Sequence, residues 1–469
     1  MKNLTPLLLI KSKLQLLSCF ILIFPSGLQA DVWNVVDYGA KGDAVTLNTN
    51  AIQRTIDRCA SAGGGIVLIE EGVFVSGTLI LKDNVTLKIA EKATLLGSMN
   101  PLDYHVIDSF VDATGQQRGS CLIGAVDATN IAVTGEGTID GRGESFLQYN
   151  IVQLRKTLDV DKELWERAVR NRPFLLRFVR CKNVRLTDIT LRQPAAWTCH
   201  LYQCMNVDIE SITIYSHAHR NNDGIDIDSS SNIRINGCYI DSGDDAVCVK
   251  ATSPLPVEHV SVTNCILKSN WGAIKLGTES MGDFRDITFD SCRIFHTKGG
   301  GIKILSVDGS NISRVCISNI SMVNVDMPVF VRLGERLRTY RDAEKRPVGS
   351  ISELRLYNIK AVITSSVDGR VEPGSAILLT GTPEHKISEI TLENLDIEVP
   401  GGGTSDMAVN AMPENEKMYP EYVSFGITPA YGITARHIEN LTLKNVVVRS
   451  RIPDSRPERK LIDVEKVTY

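Results

Sequence analysis

The sequence has no surplus of positive charge. Its 469 residues carry 51 Lys and Arg against 55 Asp and Glu, a formal net charge of −4. The first 30 residues hold three lysines and no acid, which leaves −7 for the remainder. Sequence-independent binding to nucleic acid needs a positive field, so the balance argues against it, though not against an anionic substrate held by a few local cations. No pair among the 11 cysteines has the CxxC spacing of a zinc site. There is no EF-hand loop and no nine-residue GGxGxDxUx calcium repeat. Beyond residue 30 no segment is apolar enough to span a bilayer.

What stands first in the chain is a sorting signal. Lys2, Lys11 and Lys13 precede the apolar run "LQLLSCFILIF", and "PSGLQA" closes it before Asp31. Charge, short apolar core and small-residue end read as a secretory signal over 1–30, cleaved near Ala30, for a secreted or periplasmic protein. Cys19 lies inside the apolar run rather than after it, so lipid anchoring there is the weaker reading.

The rest repeats itself. The units "NVRLTDITL", "NVDIESITI", "NIRINGCYI", "HVSVTNCIL", "DITFDSCRI" and "RVCISNISM" place branched apolar residues at Val184, Val207, Ile233, Val260, Ile287 and Val315, spaced 23, 26, 27, 27 and 28 residues. Each unit alternates apolar and polar residues, the period of a strand, between turn residues. Strand-made repeats of this length form a solenoid. The leucine-and-asparagine signature and helix of leucine-rich repeats are missing. The expectation is an all-β fold, a single right-handed parallel β-helix over 31–469, with rungs about 4.8 Å apart. Cys238, Cys265 and Cys292 share one phase and Cys181 and Cys204 another, which predicts two interior ladders, of buried thiols or else of disulfides between rungs. "NTNAIQRTIDRCASAGGG", 48–65, aligns Ala51, Ile52, Ile56 and Ala60 on one helical stripe and stops at Gly63–Gly65, a cap for the N-terminal end. A second helical patch is expected within 144–172 and a long loop over 400–425.

Six aspartates fall between Arg220 and Lys250. Asp223 precedes Asp244 by 21 residues and Asp245 by 22, about one coil, so the three converge on one face of neighbouring rungs. Crowded carboxylates raise the pKa of at least one member. A protonated carboxyl beside an ionised one is the equipment of glycoside hydrolysis. Asp226 and Asp228, on alternate strand positions, are equally consistent with turn and strand filling. Calcium also takes several oxygens, but without a calcium repeat no metal or other cofactor is expected.

At these residues the chain resembles the polygalacturonase family of pectin hydrolases, glycoside hydrolase family 28. The resemblance begins at "VVDYGAKGDAVTLNTNAIQRTIDRCASAGGG", passes through "NNDG" and "SGDD", and ends at "PAYGITARHIENLTLKN". Asn221, Asn222 and Asp223 match the family's N-x-D motif, and Asp244 and Asp245 its double aspartate. This implies inverting hydrolysis with Asp244 as general acid and Asp223 and Asp245 activating water, which requires acid and base roughly 6.5–9.5 Å apart. Two strings depart from the family. Trp271, in "SNWGAIKLGTES", stands where a histidine is expected, and Gly301, in "GGIKIL", replaces the arginine of Arg-Ile-Lys while Ile302 and Lys303 remain. Hydrolysis of a pectic bond is implied, with recognition altered: exo action or a rhamnogalacturonan-type substrate. A calcium-dependent lyase and a non-catalytic carbohydrate-binding solenoid are the alternatives.

Asn221, Arg220, His219, Lys250, Trp271, Lys275 and Lys303 are the candidate substrate contacts. Arg220 can bind a carboxylate. Lys250 and Lys275 either pair with an aspartate or meet a uronate, and Trp271 either stacks on a sugar or packs on its own coil. His217 belongs to the same cationic cluster, and Glu279 is a spare carboxylate. Tyr419, Arg436 and His437 are expected at the surface. The partner expected is a pectic polysaccharide or oligosaccharide, met by a monomer.

Overall fold

The computed structural model describes residues 31–469 apart from 368 and 370; the expected signal segment, 1–30, lies outside the described residues. The chain winds into the right-handed parallel β-helix that the repeats predict. One coil consists of the strands Ser231–Asn236, Tyr239–Ser242 and Val247–Ala251, and the next of Val257–Thr263, Ile266–Ser269 and Ile274–Ser280. Each pairs in parallel with its counterpart one coil away, giving three ladders. Inward positions stack like on like: Ile225, Val247, Ile274, Ile302 and Val329 are register partners, all fully buried. A continuous apolar column therefore runs along the axis, and each coil is covered only by its neighbours.

The asparagine that opens many repeat units has a defined task. Asn84, Asn130, Asn183, Asn206 and Asn232 all adopt positive φ, between 55° and 60°. Each later side chain donates to the Oδ1 of the one a coil before, at 2.8–3.1 Å. Asparagine tolerates the left-handed conformation better than most residues, and here its amide also ties the corners together.

The capping helix spans Thr49–Ser61 and buries Ala51, Ile52, Thr55, Ile56 and Cys59 against the first coil. Gly64 follows it at φ 114°, where a Cβ would stand 2.4 Å from the carbonyl oxygen of Asn84. The expected helical patch resolves into Gln148–Lys156 and Lys162–Arg170. The cysteines of both expected ladders are buried free thiols. Among the described residues no helix is long and apolar enough to cross a membrane.

Two excursions frame one stretch of the third ladder. The hairpin Val106–Val111 with Gln117–Val126 is antiparallel and lies before it. Residues 402–430 lie after it, mostly irregular, with short helical turns at Met407–Val409 and Tyr422–Phe425.

Candidate active site

The framed stretch is formed by Ile225–Asp228, Val247–Ala251, Ile274–Ser280 and Ile302–Ser306. The turns that enter these strands stack as the strands do. Gly224 N donates to Asp245 O at 2.8 Å, and Ala246 N to Gly272 O at 2.8 Å. Asp223 and Asp245 are thereby held one rung apart. Asp244 is fixed through its carbonyl, which accepts the hydroxyls of Ser242 at 2.7 Å and Ser269 at 2.5 Å.

Oxygens of Asp223, Asp244 and Asp245 lie within 4.8 Å of one another. That is closer than the roughly 6.5–9.5 Å expected for inversion and nearer the roughly 5–5.5 Å of a retaining pair, so an inverted outcome is implied by the family resemblance and not by this spacing. A water donating to two carboxylate oxygens at about 2.7 Å each holds them about 4.5 Å apart. The spacing thus suits one water shared between two of the three. Asp223 and Asp245 are buried, whereas Asp244 is half-open to solvent. Asp223 Oδ1 is buried without a hydrogen-bond partner, an acceptor aimed at such a water.

Two lysines neutralise part of this charge. Lys275 Nζ meets Asp245 Oδ2 at 2.6 Å. Lys250 Nζ lies among Asp226 at 3.0 Å, Asp223 at 3.2 Å and Glu279 at 3.7 Å, and 3.6 Å from the centre of the Trp197 ring. Burial alone would discharge both ammonium groups, but the surrounding carboxylates hold their pKa well above the usual value. Burial, with the charges of Asp223 and Asp245, raises the Asp244 carboxyl well above its ordinary 3.8. Burial raises Asp223 too, with Lys250 opposing. Asp226 is likewise raised well above 3.8 by burial. A proton on Asp244 beside lysine-paired Asp223 and Asp245 is the division of labour that general acid and base catalysis needs. The three-carboxylate spacing would also admit a divalent cation, but ammonium groups already occupy oxygens of Asp223 and Asp245, so the donor set fits a metal poorly. We expect a bell-shaped pH profile of kcat/KM. Its alkaline limb, where Asp244 ionises, should lie well above the ordinary carboxyl range, and its acid limb should follow protonation of Asp223, which burial raises and Lys250 opposes. Loss of activity on the alkaline side already near pH 4 would contradict this.

Below the site, Asp228 accepts from His200, from Thr252 Oγ1 at 2.6 Å and from Thr252 N at 2.8 Å. Burial opposes its charge, yet these donors bring its pKa to about 2. Burial brings His200 down to about 3. These groups form a rigid polar floor rather than a reacting pair.

The expected substrate contacts divide. Asn221 Oδ1 accepts from Arg172 at 2.9 Å and Gln116 at 3.2 Å. Its neighbour Asn222 is fully buried and donates to the carbonyls of Pro194 and Ala196, so it shapes the turn. His219 contacts Arg172 Nη1 at 2.9 Å, and burial beside that cation lowers its pKa to about 4, so it is neutral. His217 turns away to Asp241 at 2.6 Å. Arg220 is exposed, and among the described residues its guanidinium makes no ion pair. Lys250 and Lys275 pair with the aspartates, as above. Lys303 is fully buried and gives both its close contacts to Glu421, at 2.7 Å to each carboxylate oxygen. The Trp271 indole N–H also donates to Glu421, at 3.0 Å. Gly301 has no room for a side chain: a Cβ would stand 2.8 Å from Met322 Sδ and 3.0 Å from Pro328 O.

Four participants were not apparent from the sequence: Arg172, Gln116, Trp197 and Glu421. The first, second and fourth come from excursions whose paths follow no repeat. Trp197 alone had a signal, since it precedes Asp223 by 26 residues, one coil. Arg436 and His437 are buried, not at the surface. Arg436 binds Met412 O, Pro413 O and Glu414, and His437 binds Asp463 and Glu414, so both tie down the long loop.

Excursions pack against the ladder on both sides of this stretch. On the N-terminal side, Phe110 of the hairpin lies over Arg177 at 5.0 Å and against the His200 ring at 5.7 Å. On the C-terminal side, Tyr422 and Phe425 bury Leu305, Met327, Phe330 and Leu378, which face outward from the ladder. Arg332 Nη2 fastens the loop through Glu414 O at 2.6 Å.

A sequence profile described as glycosyl hydrolases family 28 matches residues 69–417. A probable polygalacturonase of Vitis vinifera is 25% identical over 389 residues, 78% of this chain and 74% of its own. An exo-poly-alpha-D-galacturonosidase of Dickeya chrysanthemi is 28% identical over 298 residues, 55% of this chain and 49% of that protein. Among solved structures, an exopolygalacturonase of Yersinia enterocolitica superposes with a TM-score of 0.72 at 21% identity, over 94% of this chain and 78% of that one. A hyperthermoactive exopolygalacturonase of Thermotoga maritima gives 0.69 at 21% identity, over 90% and 93%. At such identities the structural likeness speaks for the fold.

Proposed function

The chain belongs to the glycosyl hydrolases of family 28, and from that membership we propose that it hydrolyses glycosidic bonds in pectic saccharides from chain ends. The observation that carries the reading is the convergence of Asp223, Asp244 and Asp245 within 4.8 Å. Asp244, the half-open member, gives its proton to the glycosidic oxygen as the bond to the anomeric carbon breaks. Asp223 and Asp245 hold one water and take its proton as its oxygen bonds to that carbon from the opposite face, inverting the centre. Lys250 pairs with the first of these bases and Lys275 with the second. Arg220, exposed beside Asp223, binds a uronate carboxylate.

Exo action is supported by the excursions that flank the site. A polymer cleaved internally must run out of the site in both directions, and one of the two flanking excursions, Phe110 with the Val106–Val111 strand or the turn Tyr422–Phe425, closing one direction would leave only a chain end able to enter. A single solenoid domain over 31–469, exported by the 1–30 segment and acting as a monomer, completes the proposal.

Digestion of pectic oligosaccharides, followed by chromatography and by NMR of the newly formed anomer, tests it. Early products should be limited to one short saccharide, with the anomeric configuration inverted. A ladder of intermediate lengths would refute exo action, retention would make a carboxylate the nucleophile, and an unsaturated product would mean elimination instead.

A further inference from the structure

Four buried cations near the three aspartates are engaged from within. Lys250 and Lys275 serve the aspartates themselves. Arg172 gives its donors to Ala195 O, Arg220 O, His219, Gln116 and Asn221. Arg336 is paired with Asp308 on the far wall. Lys303 is the register partner of Lys275, one rung further toward the C-terminus, and so faces the same side of the ladder. Its partner, Glu421, arrives from the long loop, 118 and 150 positions away in sequence from the two side chains that bond its carboxylate, Lys303 and Trp271.

Glu421 is not a side chain that has merely fallen onto a lysine. The residue after it, Tyr422, is buried with Phe425 in the apolar cluster on the outer face of the ladder. Arg332 and Arg436 hold the loop backbone at Met412, Pro413 and Glu414. Its Oε1 accepts from both Lys303 and Trp271, and the carboxylate is itself only 6% exposed. The carboxylate is therefore placed before any ligand arrives, at the position where an acidic sugar would otherwise meet Lys303.

We propose that Glu421 is a specificity-determining residue: by taking the charge of Lys303, it makes the sugar position beside Trp271 accept a neutral sugar and reject a uronate. This rests on the reading that hydrolysis occurs at Asp244. A uronate there would bring a second negative charge against Glu421, or would have to displace it and leave a buried carboxylate unpaired, and both are unfavourable. A sugar without charge meets no such repulsion, and its hydroxyls can donate to the carboxylate while its apolar face lies on the half-exposed Trp271 ring. With Arg220 on the other side of the aspartates, the matching substrate has a uronate on one side of the cleaved bond and an uncharged residue on the other. The uncharged residue is either a neutral sugar or a uronate whose carboxyl is esterified.

The test compares kcat/KM on three oligosaccharides of equal length: all uronate, alternating uronate and neutral sugar, and methyl-esterified uronate. The wild type should prefer an uncharged substrate over the all-uronate one by at least tenfold, and the alternating and esterified arms tell which source of neutrality is used. Glu421→Gln keeps the side chain's size and frees Lys303, and should shift the preference toward uronate by about tenfold or more, mainly through KM. Adding Lys303→Gln should abolish that gain, and this neutral pair also controls for a Glu421→Gln protein that folds poorly. Equal use of all three substrates by the wild type, or a loss in Glu421→Gln that is the same for all three, would overturn the proposal. Asp244→Asn separates the two levels. If it keeps full turnover, the catalytic reading fails; if it is inactive everywhere while Glu421→Gln leaves the preference unchanged, only the specificity assignment fails.

Discussion

Asp244→Asn should lower kcat by about a thousandfold, within the 10²–10⁴ range of a lost general acid, while leaving the protein folded. Asparagine has the shape of the protonated carboxyl but no proton to give. The stability change has a definite sign. The folded-state pKa of Asp244 is raised well above the 3.8 of the unfolded chain. Its ionisation therefore opposes folding, and that cost is absent below pH 3.8 and grows as the pH rises toward the folded value. Asparagine removes the cost, so the melting temperature at neutral pH should be equal to or higher than that of the wild type. Reducing-end release and a thermal melt, measured on the same preparation, check both halves. Full turnover, or a melting temperature several degrees lower, would remove Asp244 from the role of acid.

Lys250→Met should have the largest effect on stability. Lys250 is the cation shared by Asp223, Asp226 and Glu279, and it lies buried over Trp197. Methionine fills much of the same volume but leaves the carboxylates uncompensated, a change worth about 3–5 kcal/mol when one member of a buried pair is removed. Asp223 and Asp226 are raised above their unfolded values even with the lysine present. Without it they rise further, so the destabilisation is greatest at high pH and shrinks as the pH falls through their folded-state values, below which both carboxyls are protonated in the folded protein with or without the lysine. Denaturant unfolding at pH 4.5 and pH 7.5 reads this difference. A loss of stability independent of pH would mean that Lys250 acts by packing on Trp197 rather than by charge.

Much of this molecule could be read from the order of its residues, because a solenoid converts sequence interval into spatial neighbourhood. The intervals of 23 to 28 residues between Val184 and Val315 set the coil, and the parallel register follows them residue by residue. The same rule joins Asp223 to Asp245 and allows Lys250 to reach Asp223, 27 residues back. The opening asparagines were visible as well, although their bonded ladder became clear only with the coil corners in place.

What lay outside that rule came from chain that leaves the repeat. No interval relates Phe110 to His200, Arg172 to Asn221 or Glu421 to Lys303, since the hairpin, the helical insertion and the long loop return to the groove along paths set by side-chain packing. The lysines show the boundary. Their presence near the aspartates followed from register, but whether each was open to a ligand depended on which acid reached it first. By itself the sequence determined the β-helix, its cap and the convergence of three carboxylates, because these depend on periodicity, which local hydrophobic alternation enforces. Only the tertiary structure decided the excursions that flank the site, the pairing of Lys303 with Glu421 and the raised pKa of Asp244, because these depend on burial and on charges that distant segments bring together.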